Sequence, residues 1–395
     1  MPDRSSGAGR TLPPWVLIAG GLHTSGGMDK ANLALAQYLV ARGTPLVVVS
    51  HRVDSSLLRA RSVELHLVRR PLQSFALGEV VLDRAGRAVA RRVLARTRQA
   101  RVVVNGGNCL WPDVNWVHAL HHGWPPVDSG APAWFRVKNA AFKRAARRRE
   151  RRSLLAAKIV VVNSNRTRND VVERLGIEPE RVKTVYLGSD AGTGPATPAE
   201  RQAARHWLGL PAGVPVVAFV GALGHDRNKG FDSLWAAWRQ LAEGEKDVHL
   251  VVAGDGARLW QREAEGILCG SRVRFTGFTS RVPDVLAAAD VLVSPVRYES
   301  YGLNVHEALC RGTPAVVSRS AGIAERFPAS LDDMLLSDPE DVAELTGILR
   351  RWLADREGWR GRIRPFAESL RAYTWCDMAE RFVTTVEEAG ELARK

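Results

Sequence analysis

Short apolar runs rich in β-branched residues alternate with stretches of helical spacing along the chain. In the first half, Trp15–Ala19, Leu46–Ser50, Val63–Val68, Arg101–Asn105, Asn115–Leu120 and Ile159–Asn163 read as strands. Most of these runs are apolar throughout, as expected for strands of a parallel sheet covered on both faces. Between the first two, Asp29–Arg42 carries Leu33, Leu35/Ala36 and Leu39/Val40 at helical spacing, and Gly43 stops it. The second half repeats the pattern, with strands at Val214–Val220, Val248–Ala253, Val273–Phe275, Val291–Pro295, Ala315–Ser318 and Met334–Leu336 and a helix at Phe231–Leu241. Between the halves lies Gly188–Ala199, GSDAGTGPATPA, a linker by composition. Asp377–Leu392 closes the chain as an amphipathic helix. The pattern predicts two α/β units with parallel sheets and no solenoid repeat.

Composition narrows this picture. A length of 395 residues suits two domains, and 25% charged residues fit a soluble globular protein. No apolar run approaches the roughly 18 residues of a membrane span. Met1–Pro14 reads as a loose tail rather than an export signal. Cys109, Cys269, Cys310 and Cys376 stand far apart, which disfavours a disulfide scaffold or thiolate metal site and fits a reducing cytoplasm. The net charge of +14 is divided unevenly: residues 1–190 hold 31 Lys+Arg against 14 Asp+Glu, and the remainder is slightly acidic. A basic half points to an anionic partner such as nucleic acid, an anionic membrane or a phosphorylated substrate. The plainer alternative is arginine decorating solvated faces.

The most specific segment is Pro295–Glu325, PVRYESYGLNVHEALCRGTPAVVSRSAGIAE. A strand ends at Pro295, Gly302 allows a tight approach, and a helix covers about Leu303–Arg311. The start of such a helix offers free N–H groups and the positive end of its dipole to an anion such as a diphosphate. Glu299 and Glu307 flank this start, eight positions apart. Carboxylates beside a phosphate site suit vicinal hydroxyls, so the pair suggests a ligand with a central diphosphate and polyols at both ends, as in a nucleotide-sugar. Taken singly, each Glu reads as well as a cap or a solvated position. In Val216–Leu241 a strand runs into Gly221, and a polar loop then carries His225, Asp226, Arg227 and Lys229 before Gly230. Its cations could neutralise a departing diphosphate, although a basic surface loop is the simpler reading. Gly20-Gly21 and Gly26-Gly27 permit close phosphate approach without the G-x-G-x-x-G spacing of a dinucleotide site.

Together these segments resemble retaining glycosyltransferases of family 4, with the GT-B architecture of two facing Rossmann-like domains. Glu299 to Glu307 resembles the family's E-x7-E signature, and GTPAVVSRSAGIAE the stretch after it. FVGALGHDRNKG is similar to its F-V-G-R-L…K-G element, and NSNRTRNDVVERLGI…RVKTVYLGSD to the passage into the linker. The resemblance spans roughly residues 15–390. It implies an N-terminal acceptor-side domain at 1–188, a linker at 189–200 and a C-terminal donor domain at 201–376, with the helix at 377–392 packing back on the first.

The roles implied by the resemblance are specific. Glu299 would hold donor-sugar hydroxyls, Glu307 the ribose hydroxyls, and Lys229 the diphosphate. Backbone N–H groups of Gly302, Leu303 and Asn304 would meet the distal phosphate and sugar. Gly26 and Gly27 would line the phosphate side from the N-terminal domain. Ala222 stands where the family often has Arg, and Arg227 would supply that charge. A family His near the reacting sugar aligns with His121, with His118 as runner-up and a structural His as the competitor. The resemblance implies no cofactor and no metal, a nucleotide-diphosphate sugar donor, and a glycan, lipid-linked or small-molecule acceptor, with front-face transfer retaining the anomeric configuration. Acceptor recognition is expected on loops such as Asn108–Ser129. Trp134–Arg152 holds nine Lys/Arg and one Glu, and its Arg147, Arg148, Arg149, Arg151 and Arg152 form a candidate membrane or acceptor patch. A solvated helix packed by its apolar stripe is the alternative. A cytoplasmic enzyme peripheral to the inner face of the plasma membrane fits, with no nucleic-acid partner. A nucleotide-sugar epimerase or other GT-B enzyme is the alternative function, followed by a non-enzymatic anion- or membrane-binding protein.

Overall fold

A computed structural model of the chain describes residues 12–24, 26–124 and 131–392. Residues 1–11 of the expected tail and 125–129 of the expected acceptor loop lie outside the described residues. Two parallel sheets organise the chain. The first has seven strands in the order Val63–Leu67, Leu46–Ser50, Trp15–Ile18, Arg101–Asn105, Val114–Val117, Ile159–Val162, Val182–Thr184. The second has six, ordered Val273–Gly277, His249–Ala253, Val216–Val220, Val291–Ser294, Ala315–Ser318, Leu335–Leu336. In each, the first strand of the domain lies inside the sheet, with Trp15 registered against both Leu46 and Arg101. The residues of Trp15–Ile18 and Val291–Ser294 are all buried, as apolar runs without alternation require. This arrangement of two doubly covered parallel sheets is the α/β fold expected from the pattern.

The chain passes between the domains twice. Ser189 and Thr374 form a parallel bridge, and a Cβ on Gly188 would collide with the Thr374 carbonyl, so only glycine lets the two crossings meet. Beyond this hinge, the helix Trp375–Leu392 returns to the first sheet. Its Phe382 is fully buried, 4.4 Å from the Trp116 ring and 6.4 Å from Trp15. Burying that phenyl group contributes about 1.5–3 kcal/mol, enough to hold the returning helix on the sheet.

The structure departs from the pattern at two places that matter. The strand read as Asn115–Leu120 ends at Val117, and the chain turns into a short 3-10 segment at His121–Gly123. The linker read to Ala199 ends sooner. Pro198 starts the helix Pro198–Trp207, with Thr197 and Glu200 making a reciprocal capping box. That helix is tied to the second domain by Arg201 and Arg205, which share the buried Asp290 with Arg360.

Candidate functional site

The crevice between the sheets is bounded by loops at the carboxyl ends of their strands. On the C-terminal side, Val291–Ser294 leads through residues 295–302 into the helix Leu303–Cys310. Gly302 caps this helix at φ 107°, a region side chains rarely adopt, and a Cβ there would press on Ile323. The loop is pinned beneath by a bridge between Glu299 and Ala321, with the Gly322 N–H donating to the Glu299 carbonyl at 2.9 Å. Asn304 donates from Nδ2 to the Val220 carbonyl at 3.0 Å, fixing the helix start beside the end of the Val216–Val220 strand. The expected phosphate-facing N–H groups of Gly302, Leu303 and Asn304 therefore sit on a rigid support.

Lys229 and Glu299 were expected to act on different parts of a ligand, and they meet directly: the ammonium donates to Glu299 Oε2. Both side chains remain partly exposed. Arg227 is placed differently. Its φ is 25°, its guanidinium lies 3.8 Å from Asp232, and its carbonyl accepts from Arg297. Arg297 also grips Asp232 with two bonds of 2.9 and 2.8 Å and reaches Glu340 at 2.8 Å. Arg297 shapes the loop that carries Lys229, a role that sequence reading missed because Asp232 and Glu340 are remote in the chain.

Glu307 lies one turn inside the helix and takes its partner from the other domain. Lys30, in the first helix Gly27–Ala41, donates to Glu307 Oε1 at 3.1 Å and to Asp190 Oδ2 at 2.7 Å. Burial opposes the charge on Lys30, yet the two carboxylates outweigh it and its pKa is raised. Burial pushes the Glu307 carboxyl upward as well, against the pull of Lys30. These groups line a cavity of about 150 Å³, with Pro283, Leu286 and Trp375 as apolar walls. Gly27 stands at its edge, where a Cβ would touch Leu303, and Gly26 caps the first helix at φ 98°. Lys30 and Asp190 were not singled out from sequence. The usable signal was Lys30's place in the first turn of a helix that follows a strand and a glycine pair.

The N-terminal wall carries two histidines with different fates. The imidazole nitrogens of His118 are buried without a hydrogen-bond partner among the described residues, its ring lies 4.3 Å from Trp116, and burial pushes its pKa down to about 3. His118 is thus a neutral packing group. His121 stands on the turn that touches the donor domain: a Cβ on Gly123 would run into the Tyr298 ring, one residue from Glu299. Glu150, fully buried on the helix Ala133–Ala156, binds both His121 and His122. Burial alone would raise this carboxyl, but the hydrogen bonds of the two histidines outweigh it and its pKa is lowered.

The arginines of that helix divide, which corrects the expected patch. Arg147 is turned inward, donating to the carbonyls of His121 at 2.9 Å and Trp124 at 2.8 Å, and Arg149 pairs with Glu79. Arg148, Arg151 and Arg152 are exposed, together with Trp134 and Val137. A helix can turn only part of its circumference to solvent, so a run of five cations cannot all face outward.

A second, larger cavity of about 1,000 Å³ opens at the carboxyl ends of the N-terminal strands, lined among others by His23, Asp29, His51, Arg52, Arg70 and Asn108. At its rim Leu72 and Gln73 hold φ of 51° and 52°, strained values for non-glycine residues, as often found at ligand sites. Among the described residues, no group of three His, Cys, Asp or Glu side chains is placed to hold a metal ion.

Comparison with known proteins agrees with this geometry. Residues 25–193 match the family model Glycosyltransferase Family 4, and residues 214–355 match Glycosyl transferases group 1. A 2-deoxystreptamine glucosyltransferase of Streptomyces kanamyceticus is 32% identical over 52% of this chain and 54% of its own, so that match spans about half the relative. The 2-deoxystreptamine N-acetyl-D-glucosaminyltransferase of Streptomyces fradiae is 29% identical over 90% of this chain and 89% of its own. A D-inositol 3-phosphate glycosyltransferase of Xylanimonas cellulosilytica is 28% identical over 93% of each. Among solved structures, WaaG, a glycosyltransferase involved in lipopolysaccharide biosynthesis, superposes with a TM-score of 0.72 at 20% identity, over 95% of this chain and 99% of its own. Anabaena HepE in complex with UDP and glucose gives 0.68 at 21%, over 95% and 99%.

The two facing domains with parallel sheets have the GT-B fold of these solved structures. Its two halves match glycosyltransferase family models and its relatives are glycosyltransferases, so the chain is a transferase of glycosyl groups.

Proposed function

We propose that the enzyme is a retaining, metal-independent member of family 4 that moves a sugar from a nucleoside-diphosphate sugar to a hydroxyl of a small polyol or glycan. The observation that carries this reading is the placement of Glu299, Lys229 and Glu307 around the start of one helix. Lys229 and the N–H groups of residues 302–304 hold the diphosphate and take up the charge that develops as the glycosidic bond breaks. Glu299 receives the sugar hydroxyls and Glu307 those of the ribose. His121 meets the donor sugar from the opposite wall. Attack from the leaving-group face lets the departing phosphate accept the acceptor's proton, so no protein base is required.

The relatives are named for 2-deoxystreptamine and D-inositol 3-phosphate, both six-membered cyclitols. A cyclitol acceptor in the cavity beside Arg52 and Arg70 is the corresponding reading here. The exposed Trp134, Val137, Arg148, Arg151 and Arg152 support peripheral contact of a cytoplasmic enzyme with anionic lipid.

The test is a screen of UDP-, GDP-, ADP- and TDP-sugars by thermal shift and product formation, with and without EDTA. Saturation a hundredfold above the dissociation constant stabilises by about 2.7 kcal/mol. Glu299→Ala should lose most transfer and still bind the free nucleoside diphosphate. A strict need for added Mg²⁺ or Mn²⁺ overturns the metal-independent mechanism, and an inverted product overturns retention.

A further inference from the structure

The helix Ala133–Ala156 contains nine cations and one carboxylate between Trp134 and Arg152, and that carboxylate is its most buried charge. Glu150 has no exposed surface, yet no arginine of its own helix pairs with it. Among the described residues, its hydrogen-bond partners are all on the turn His121–Gly123. Oε1 accepts the His121 backbone N–H at 2.8 Å and lies 3.0 Å from His121 Nδ1. Oε2 accepts the His122 backbone N–H at 3.1 Å and lies 2.6 Å from His122 Nδ1.

An ionised carboxylate has no proton to give, so at each of these contacts the imidazole must donate. Both rings are thereby fixed with hydrogen on Nδ1. In a neutral ring, Nε2 is then the acceptor. A backbone N–H pair alone would have been enough to anchor the turn. The extra use of two titratable rings is what a purely structural cap does not need.

The surroundings favour the same reading. Arg147 clamps the carbonyls of His121 and Trp124, Arg174 approaches the His122 carbonyl at 3.5 Å, and Lys143 lies 5.6 Å from the Trp124 ring centroid. The His121 ring is flanked by Trp124 at 5.4 Å and Phe142 at 6.4 Å. Gly123 packs on Tyr298 from the donor domain. Cations face the carbonyl side of the turn, and among the described residues Glu150 is the only anion bonded to its nitrogens.

We propose that Glu150 is a positioning residue for the transfer reaction: by holding Nδ1–H of His121 and His122 it fixes ring orientation and tautomer, leaving Nε2 of His121 as the nitrogen that meets the donor sugar. This rests on the reading of His121 given above.

The experiment compares wild type with Glu150→Gln, Glu150→Asp and His121→Asn. UDP-glucose, or the nucleotide-sugar selected by the screen, serves as donor, and released nucleoside diphosphate is followed across pH. Glutamine keeps the size but cannot accept from both rings. Glu150→Gln should lower kcat about 10- to 100-fold with donor KM within threefold, and Glu150→Asp should restore part of it. The acid limb of the kcat profile should move to lower pH in Glu150→Gln, because removing an anion makes each imidazole harder to protonate. In parallel, long-range ¹H–¹⁵N spectra of the wild type should show His121 and His122 as Nδ1–H tautomers.

An Nε2–H tautomer at His121 in the wild type overturns the proposal, even if the variants misfold. So does wild-type turnover with an unmoved acid limb in Glu150→Gln. If His121→Asn is inactive while Glu150→Gln is not, the role of His121 stands and only the positioning by Glu150 falls. If His121→Asn is fully active, both fall together.

Discussion

Glu150 belongs to the first domain and Glu307 to the second, and their environments drive them apart. Glu150 is fully buried, yet four N–H donors converge on its two oxygens and lower its pKa. Glu307 is less buried, yet burial pushes its carboxyl upward, against the pull of Lys30, its one hydrogen-bond donor among the described residues. Burial does not by itself decide the state of a carboxylate; the number of donors does. The difference also separates their functions. A carboxylate whose lone pairs are all used holds the protein's own groups in place. One that keeps accepting capacity is suited to ligand hydroxyls.

The largest expected effect breaks the satisfied site. Glu150→Ala strands two ring donors and two backbone N–H groups, and should cost about 3 kcal/mol, on the order of 10 °C in the unfolding midpoint. Calorimetry that finds no loss would mean that water replaces the carboxylate freely. The same group predicts a pH dependence. Its folded pKa lies below the ordinary 4.5, so its stabilisation is present above that value and is lost as pH falls through the folded pKa. The acid side of the stability curve should therefore flatten in Glu150→Gln.

Glu307→Ala should behave in the opposite way. Melting should change little, within about 0.5 kcal/mol, while affinity for the nucleoside diphosphate falls about tenfold or more, the value of a hydrogen bond to a charged group. Titration calorimetry with UDP, GDP and ADP would check this, and a destabilised protein with unchanged affinity would reverse the comparison.

Lys30→Met probes the contact between domains and should have a smaller effect. Without its cation the Glu307 carboxyl rises further, so nucleotide affinity should begin to fall at a higher pH than in the wild type. At neutral pH the loss should be about threefold or less, since the ion pair is partly exposed and screened. Affinity that improves on removing Lys30 would show the lysine to be a competitor of the ribose.

The smallest effect on the crevice itself is expected from the exposed face of the Ala133–Ala156 helix. Replacing Arg148, Arg151 and Arg152 with Gln should leave nucleotide binding intact and weaken liposome co-sedimentation by about 1 kcal/mol per surface-facing charge. Arg147→Gln belongs to a different class, since that side chain holds the His121 and Trp124 carbonyls, and should lower turnover instead.

Much of the architecture was legible because it is written in local pattern. The strands Leu46–Ser50, Arg101–Asn105 and Ala315–Ser318 each centre on consecutive apolar residues, since two-sided burial leaves no polar alternation. Glu299, Gly302 and Glu307 could be singled out because a strand, a glycine and a helix start stand close together in sequence. Pairing was hidden. Lys30 reads as one polar residue of an amphipathic helix, and its acceptor Glu307 lies 277 positions away. Glu150 reads as a stray acid in a basic run, and the five arginines around it look alike until the helix is docked.

The sequence alone determined two α/β units, the hinge composition, the glycine-led helix start and the two acids that flank it, because each depends on backbone preferences and neighbours within one or two turns. Only the tertiary structure decided which donor answers which carboxylate: Lys229 with Glu299 inside one domain, Lys30 with Glu307 across two, and two histidines with Glu150. The reason is physical. Propensity and periodicity act along the chain, whereas hydrogen bonds and Coulomb forces act through a few ångströms of space, and strand order determines which residues come that close.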